Sequence, residues 1–350
     1  MTDDPIVILI PVFNDWQATG MLLRLVDEEL ARQGMQAAVL LVDDASTERP
    51  PEEFLHANGA ALMEHAPTGR GGEAVATAAR TVAAACASFT KVEILELRRN
   101  LGHQRAIAIG LAYLHASERF QAVLIMDGDG EDDPRDVPRL IAAYREHSGK
   151  AIIFARRTER SESLLFRSCY SLYRFLHRAL TGHRINVGNF SIVPSECVDR
   201  LVAVTELWNH YASAVYKARL PHDSIPTKRA PRLAGRPRMN FVALVIHGLS
   251  SIAAYGDVVG VRMLLASLGV IFATVAGLLT VVVLRVGTDM AIPGWATNAF
   301  GLLVIILFQA IMSSVLFIFI ILGNRQGALF LPVRDYSYFV LRTRRVACQP

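Results

Sequence analysis

Two stretches near the end of this 350-residue chain, Met263 to Leu284 and Ala291 to Gly323, carry no charged side chain. Each exceeds the roughly 18 to 20 apolar residues needed to cross a bilayer, and core helices of water-soluble domains rarely run so long without a charge. The pattern predicts two membrane helices, at about 263–284 and 297–322. Between them, Arg285 to Trp295 contains Pro293 and Trp295 and reads as an extracytoplasmic turn with an interfacial aromatic. Arg229, Arg232, Arg236, Arg238 and Arg262 precede the pair and Arg325, Arg334, Arg342, Arg344 and Arg345 follow it, whereas the turn holds only Arg285. Because positive charge stays inside, both chain ends are expected in the cytoplasm, in a multi-pass protein of the cytoplasmic membrane.

The net charge of +4 fits attraction to anionic headgroups and phosphates, since no nucleic-acid recognition motif occurs. No signal peptide is visible, because Asp3 and Asp4 lead directly into a strand-like run. Cys86, Cys169, Cys197 and Cys348 lack metal-ligand or redox spacing and read as reduced cytosolic thiols.

The first half alternates. Ile6 to Ile10 is a continuous apolar run ending at Pro11, Trp16 to Arg32 has helical periodicity, and Ala37 to Val42 is a second apolar run ending at Asp43 and Asp44. Val92 to Leu97, Ala122 to Met126 and Ala151 to Ala155 read as further strands, with a helix over Gln104 to Ala116. Such alternation predicts a mostly parallel sheet that binds its ligand at the carboxyl ends of the strands. Polar residues cluster at those ends: Asn14 and Asp15, Asp43 and Asp44, Arg99 and Asn100, Asp127 and Asp129. Residues 50–89 are less legible, with glycines at Gly69 to Gly72 and an alanine-rich helix from Glu73 to Ala87.

The run from Ala122 to Pro134 places Asp127, Asp129, Glu131 and Asp132 where an apolar strand ends. A polar turn would account for aspartates and glycines there. A calcium loop of the EF-hand kind would not, because that loop needs glycine and glutamate where this chain has Asp132 and Pro138. Hard cations such as Mg²⁺ take one or two carboxylates together with substrate phosphates, so Asp127 and Asp129 suit a metal-diphosphate site. The inferred ligand is a nucleoside diphosphate.

Several segments, in order, resemble the inverting family 2 glycosyltransferases of GT-A fold, specifically the polyprenyl-phosphate glycosyltransferases related to dolichol-phosphate mannose synthase. Pro11-Val-Phe-Asn-Asp15 is similar to PVYNE, Val42-Asp-Asp-Ala-Ser46 to VDDGS, Arg99-Asn-Leu-Gly102 to RNxG, and Asp127-Gly-Asp-Gly-Glu-Asp132 to DADLQD. Later, Arg157 to Arg160 with Glu162, Ser163, Arg167, Ser171, Tyr173 and Arg174 resembles the acceptor-phosphate arginines, and Arg229 to Met239 resembles an R-x-x-R-x-x-G-x-S-K segment.

The resemblance implies a Rossmann-like GT-A domain over 1–228, an acceptor-binding and interfacial segment over 229–260, a membrane hairpin over 261–323 and a cytoplasmic tail over 324–350. Interfacial helices are expected over Phe241 to Tyr255 and Gly327 to Leu341. It implies transfer of one sugar from a nucleotide sugar to a polyprenyl phosphate, with inversion and with Mg²⁺ or Mn²⁺, and relatives imply a homo-oligomer. Pro11, Phe13, Asp15, Asp43, Asp44, Arg99, Asn100 and Asp127 would bind the donor, Asp44 at its base. Asp127, Asp129 and Glu131 would hold the metal, and Arg157, Arg160, Arg229, Arg232 and Arg238 would grip phosphate through paired guanidinium hydrogen bonds. Asp127, Asp129, Arg157, Arg160 and Asn189 form the catalytic set.

Three positions depart from the family pattern. Asn189, in Gly188-Asn189-Phe190, replaces an aspartate and cannot take a proton, yet a polyprenyl phosphate is already anionic and attacks without one. Glu131 replaces a glutamine, and His103 stands where lysine is common, a place that suits helix capping or packing. A processive polysaccharide synthase is disfavoured because no Arg-Trp pair occurs for a Q-x-x-R-W motif. A nucleotide-sugar-binding scaffold without turnover is kept open by Asn189 alone.

Overall fold

The computed structural model describes residues 4–50, 88–117, 119–157, 175–182, 187–235, 248–287, 294–326 and 330–346. The chain divides into two units: Met1–Ser163 with Ile185–Ser250 and Phe330–Pro350, and Leu164–Arg184 with Ser251–Leu329.

In the first unit, strands β1 (Ile6–Val12), β2 (Ala37–Asp43), β3 (Phe89–Leu97), β4 (Ala122–Ile125), β5 (Ile152–Arg157), β6 (Ser191–Pro194), β7 (His222–Thr227) and β8 (Val340–Val346) form one sheet ordered β7-β5-β6-β4-β1-β2-β3-β8. β1 pairs in parallel with β2 and β4, β2 with β3, and β5 with β7; β6 and β8 run antiparallel to their neighbours. β1 and β4, and β2 up to Asp43 at its end, are apolar because both sheet faces are covered. Thus Val7 and Leu9 of β1 enter one core, and Ile6, Ile8, Ile10 and Val12 the other.

Helix α1 (Trp16–Arg32) buries Trp16, Leu22, Leu23, Val26 and Leu30, a stripe at helical spacing, in the second core. α2 (His103–Ser117) lies in the first core and is buried almost all round. Gly110 permits this, since a Cβ there would stand 2.6 Å from Leu9 Cδ1 and 2.8 Å from Val42 Cγ2. α3 (Asp136–Glu146) joins the second core, and α4 (Ser195–Leu201) and α5 (Tyr211–Lys217) the first. The parallel pairings bring the carboxyl ends of β1, β2, β3 and β4 to one edge.

The expected interfacial helix over 327–341 is corrected. Its described part is one helical turn, α8 (Pro332–Asp335), a 3₁₀ turn at Tyr336–Tyr338, and then strand β8. Cross-strand charge explains the strand, as Arg342 and Arg344 each place Nε 2.6 Å from the Glu96 carboxylate of β3. Its aromatics pack inward: Phe330 and Phe339 lie 3.8 and 5.3 Å from the Trp208 ring. The segment after the apolar helices therefore completes the sheet. Of the other expected interfacial helix, residues 248–253 are helical and 241–247 lie outside the described residues.

The second unit contains a helical stretch over 175–181 and two long helices, α6 (Gly256–Gly287) and α7 (Trp295–Gln326). Both are long and apolar enough to cross a membrane, with mean hydropathy of 2.5 and 2.8 in their most apolar windows. Each extends beyond the uncharged run, and α6 includes Asp257, Arg262 and Arg285. They pack antiparallel along Gly260, Ser267, Thr274 and Val281, every seventh residue of α6. Ser267 Oγ and Ser314 Oγ share a 2.7 Å hydrogen bond, and a Cβ on Gly260 would meet Ile321 Cγ1 at 2.6 Å. Small and hydroxyl residues line the contact, and Leu265, Phe272, Phe308 and Phe319 are exposed elsewhere on the two helices.

Candidate active site

The loops after β1 and β2 are tied to each other. Asn14 takes a left-handed conformation (φ 53°), which asparagine tolerates, and its Oδ1 accepts from the Glu48 N–H at 2.9 Å. Its own N–H donates to Ser46 Oγ at 2.9 Å, and Trp16 Nε1 donates to the Glu48 carbonyl at 3.1 Å. Asp43 Oδ1 accepts from the Ser46 N–H at 2.9 Å. Asp44 accepts from the Leu101 and Gly102 N–H groups at 2.7 and 2.8 Å, one on each oxygen. Burial pushes the Asp44 carboxyl up, against the pull of those two amides. The carboxylate expected to meet the base is thus turned onto the loop after β3.

After β4 the chain folds over itself. The Asp127 N–H donates to Asp132 Oδ2, and the Glu131 N–H to Asp129 Oδ1, both at 3.0 Å. Gly130 makes the turn at φ 81°, and a Cβ there would lie 2.4 Å from Leu233 Cγ. Thr19 of α1 reaches the Gly128 carbonyl at 3.4 Å. Asp132, only 4% exposed, accepts from Arg157 Nη2 at 3.1 Å. Burial, and then the Asp127 carboxylate, push its pKa up to about 7 although Arg157 opposes them.

Residues 229–233 lie across this loop. The Ala230 N–H donates to the Glu131 carbonyl at 3.0 Å and the Leu233 N–H to the Asp129 carbonyl at 3.1 Å. That pairing aims two arginines at the acidic loop. Arg229 donates to Glu131, and Arg232 bridges Asp129 Oδ2 at 3.0 Å and Asp15 Oδ2 at 2.9 Å. Burial, then neighbouring Asp127 and Glu131, raise Asp129, while the Glu131 amide and Arg232 lower it. Asp15, Asp127, Asp129, Glu131 and Asp132 outnumber Arg157, Arg229 and Arg232 five to three.

His103 begins α2 and sets Nε2 3.1 Å from Asp127 Oδ1, so it meets the acidic loop rather than merely capping the helix. Surrounding protein disfavours its charged form, but Asp127 and, further off, Asp132 and Asp129 outweigh that and raise its pKa. The same Nε2 lies 2.9 Å from Asn189 Nδ2. Gln104 Nε2 donates to Asn189 Oδ1 at 3.0 Å, and Gln104 Oε1 accepts from the Tyr211 N–H at 2.7 Å.

Of the expected site residues, the structure brings together Asp15, Asp127, Asp129, Glu131, Arg157, Asn189, Arg229 and Arg232. Pro11 is buried, Phe13 half-buried, and Arg99 and Asn100 exposed, with the Arg99 guanidinium 5.7 Å from the Phe339 ring. Arg160 and Arg238 lie outside the described residues, as do Gly69 to Gly72. Sequence reasoning missed Thr19, Gln104, Asp132 and Tyr211 as site residues. Only Asp132 carried a signal, its place at the end of the acidic run.

Comparisons with known proteins bear on this arrangement. Residues 73–195 match the family model described as Glycosyl transferase family 2. The uncharacterized glycosyltransferase YkcC of Bacillus subtilis is 24% identical over 72% of this chain and 75% of its own. The undecaprenyl-phosphate 4-deoxy-4-formamido-L-arabinose transferase of Klebsiella pneumoniae is 24% identical over 97% of this chain and 93% of its own. Among solved structures, the glucosyl-3-phosphoglycerate synthase of Mycobacterium tuberculosis bound to phosphoglyceric acid is 15% identical, with a TM-score of 0.46 over 74% of this chain and 81% of that one.

Proposed function

Because this chain carries a glycosyltransferase family 2 domain and is a glycosyltransferase, we propose that it moves one sugar from a nucleotide sugar to a polyprenyl phosphate at the cytoplasmic membrane face, with inversion. The observation that carries the proposal is the acidic loop at the carboxyl edge of parallel strands, its carboxylates paired with arginine side chains from 229–232 and β5. Charges held by side chains are exchangeable, and that edge is where open α/β sheets bind ligands. The named activity of the Klebsiella relative points to the same acceptor class.

The donor set suits a hard divalent cation. Its atoms are carboxylate oxygens, and among the described residues no group of three or more His, Cys, Asp and Glu side chains is placed to hold a metal alone. A cation taking one or two carboxylates and the rest from diphosphate and water fits such a site. Asp127 and Asp129 would hold it, with Glu131 beside them. Mg²⁺ or Mn²⁺ bound there would neutralise charge on the departing nucleoside diphosphate.

The chain's own residues do the rest. Asp15 and the tied loops after β1 and β2 wall the donor pocket. Arg157, Arg229 and Arg232 exchange carboxylate partners for phosphate oxygens, which a planar guanidinium binds through paired hydrogen bonds. An acceptor phosphate oxygen attacks the anomeric carbon as the bond to the diphosphate breaks on the opposite face, and the leaving group takes the electron pair. The acceptor is already anionic, so no residue need remove a proton, and the amide at Asn189 is no obstacle.

The apolar pair α6 and α7 is read as a membrane hairpin. β8 follows α7 yet belongs to the same sheet as β1, which fits two crossings that return the chain to the side it left. With the arginine bias, this favours a cytoplasmic catalytic unit.

The test is transfer by the full-length protein from a panel of radiolabelled nucleotide sugars to undecaprenyl phosphate, with Mg²⁺, with Mn²⁺ and with chelator. A labelled lipid that requires the metal is expected. Metal-independent transfer would remove the cation from the reading, and binding of donor without any lipid product would overturn the reaction.

A further inference from the structure

The loop from β3 to α2 carries Arg98, Arg99 and Asn100, all exposed, and it is held at both ends through main-chain N–H groups. At its far end the Leu101 and Gly102 N–H groups donate to Asp44 at 2.7 and 2.8 Å. At its start the anchor comes from the segment that follows α7. The β3–β8 register shifts between Glu96 and Leu97, and just past that shift the Arg98 N–H donates to the Phe339 carbonyl at 2.8 Å. The Phe339 ring takes the next residue as well, for the Arg99 guanidinium carbon lies 5.7 Å from its centroid, within cation–π range. That ring is itself packed, 5.3 Å from the Trp208 ring and edge-on to Phe330 at 5.5 Å. Arg157, Arg229 and Arg232 are paired with carboxylates. Arg99 forms no ion pair among the described residues and rests on an aromatic face. A ring orients a guanidinium without neutralising it, so its five N–H donors stay available to an anion.

We propose that Phe339 is a positioning residue for donor binding: its carbonyl fixes the start of the loop, and its ring holds the Arg99 guanidinium, still charged, for the diphosphate of the nucleotide sugar. This rests on the reading of the carboxyl edge as the donor site. Phe339 touches no reacting atom and acts through Arg99. It also lies beyond both apolar helices in the chain, so the donor loop is fully anchored only in a protein that continues past them.

The experiment is calorimetric titration of the full-length protein with UDP, GDP, CDP and dTDP in Mg²⁺, without acceptor, followed by variants with whichever nucleotide binds most tightly. Phe339→Leu keeps the carbonyl and an apolar side chain but has no π face. It is expected to weaken nucleotide binding about 2- to 5-fold, the size of a cation–π contact at an exposed site, with a thermal midpoint close to wild type. Phe339→Tyr keeps the face and should bind as wild type does. In an Arg99→Ala background, Phe339→Leu is expected to add nothing, a coupling that a packing role alone would not produce. In the transfer assay the loss should fall on KM for the nucleotide sugar rather than on KM for undecaprenyl phosphate. Undiminished affinity in Phe339→Leu, an equal loss with and without Arg99, or the same loss in Phe339→Tyr would overturn the proposal. If Phe339→Leu does not fold, Arg99→Ala decides alone, since it removes an exposed cation and leaves ring and carbonyl in place; unchanged nucleotide affinity there would overturn the proposal. Wild-type protein that binds none of the four nucleotides would take down the donor reading itself, which separates the two failures.

Discussion

Two acidic pairs flank β1 in the sheet, one after β2 and one after β4, and they are held in opposite ways. Asp43 and Asp44 accept from main-chain N–H groups of Ser46, Leu101 and Gly102. Asp129 and Glu131 are met by the side chains of Arg232 and Arg229, and Asp132 by that of Arg157. A backbone donor cannot leave without unfolding its loop, whereas a guanidinium on a long side chain can swing to another anion. On the proposed reading, the first pair builds the wall of the site and the second holds charge that a ligand can claim. Sequence reading treated both as ligand-binding carboxylates, because composition alone does not say what a carboxylate is bonded to.

The widest separation between the two pairs is expected from Asp129→Asn. The asparagine still accepts from the Glu131 N–H, so the fold should survive with a thermal midpoint near wild type. The lost charge should lower kcat/KM for sugar transfer about 100- to 1000-fold, the scale set by removing one group that stabilises developing charge. Near-normal turnover would place Asp129 with the wall.

Asp132 straddles the division, since one oxygen serves the Asp127 amide and the other Arg157. Its folded pKa of about 7 lies above the ordinary carboxylate value of 3.8. The folded protein thus binds more protons than the unfolded chain between those values, so this group's contribution falls as pH rises through that window and is lowest above it. Asp132→Asn should flatten the stability profile between about pH 4 and 7, by a few kcal/mol at most at roughly 1.4 kcal/mol per pKa unit. Melting curves across that range measure the slope directly, and an unchanged slope would remove Asp132 as its source.

On the wall side, Asp44→Asn keeps one acceptor for two buried amides. About 2 kcal/mol of stability should be lost, within the range for a hydrogen bond to a charged group. Chemical denaturation checks it. Turnover should fall less than in Asp129→Asn, because the loop is loosened while the reacting groups remain.

The sheet was legible because continuous apolar runs end in polar clusters: β2 and β4 began and ended within a residue of expectation, and β1 ran two residues past its expected end. The acidic loop was legible for the same reason. What stayed hidden were partners set by tertiary proximity. Arg232 meets Asp15 across 217 positions, and Gln104 takes its orientation from a main-chain N–H 107 residues away. Strand β8 was hidden too. Its three arginines, flanked by apolar residues, suit a membrane surface until Glu93 and Glu96 of β3 are seen beside them.

The smallest effect, and the one that bears most directly on exchangeability, concerns Arg232. Its guanidinium donates to Asp129, Asp15 and the Ala234 carbonyl, and the side chain is only 14% exposed. On the proposed reading, a cation that binds Asp129 displaces one of those contacts, so Arg232 would compete with the metal before donor arrives and then serve the phosphate. Arg232→Gln should therefore bind Mn²⁺ alone about 3- to 10-fold more tightly, roughly 1 kcal/mol, yet show a raised KM for the nucleotide sugar. Arg232→Lys separates charge from geometry: one ammonium keeps the charge but lacks the fork that spans Asp15 and Asp129. If both variants bind Mn²⁺ as wild type does, the arginine belongs with the wall, and the division between fixed and exchangeable carboxylates fails at the residue on which it most depends.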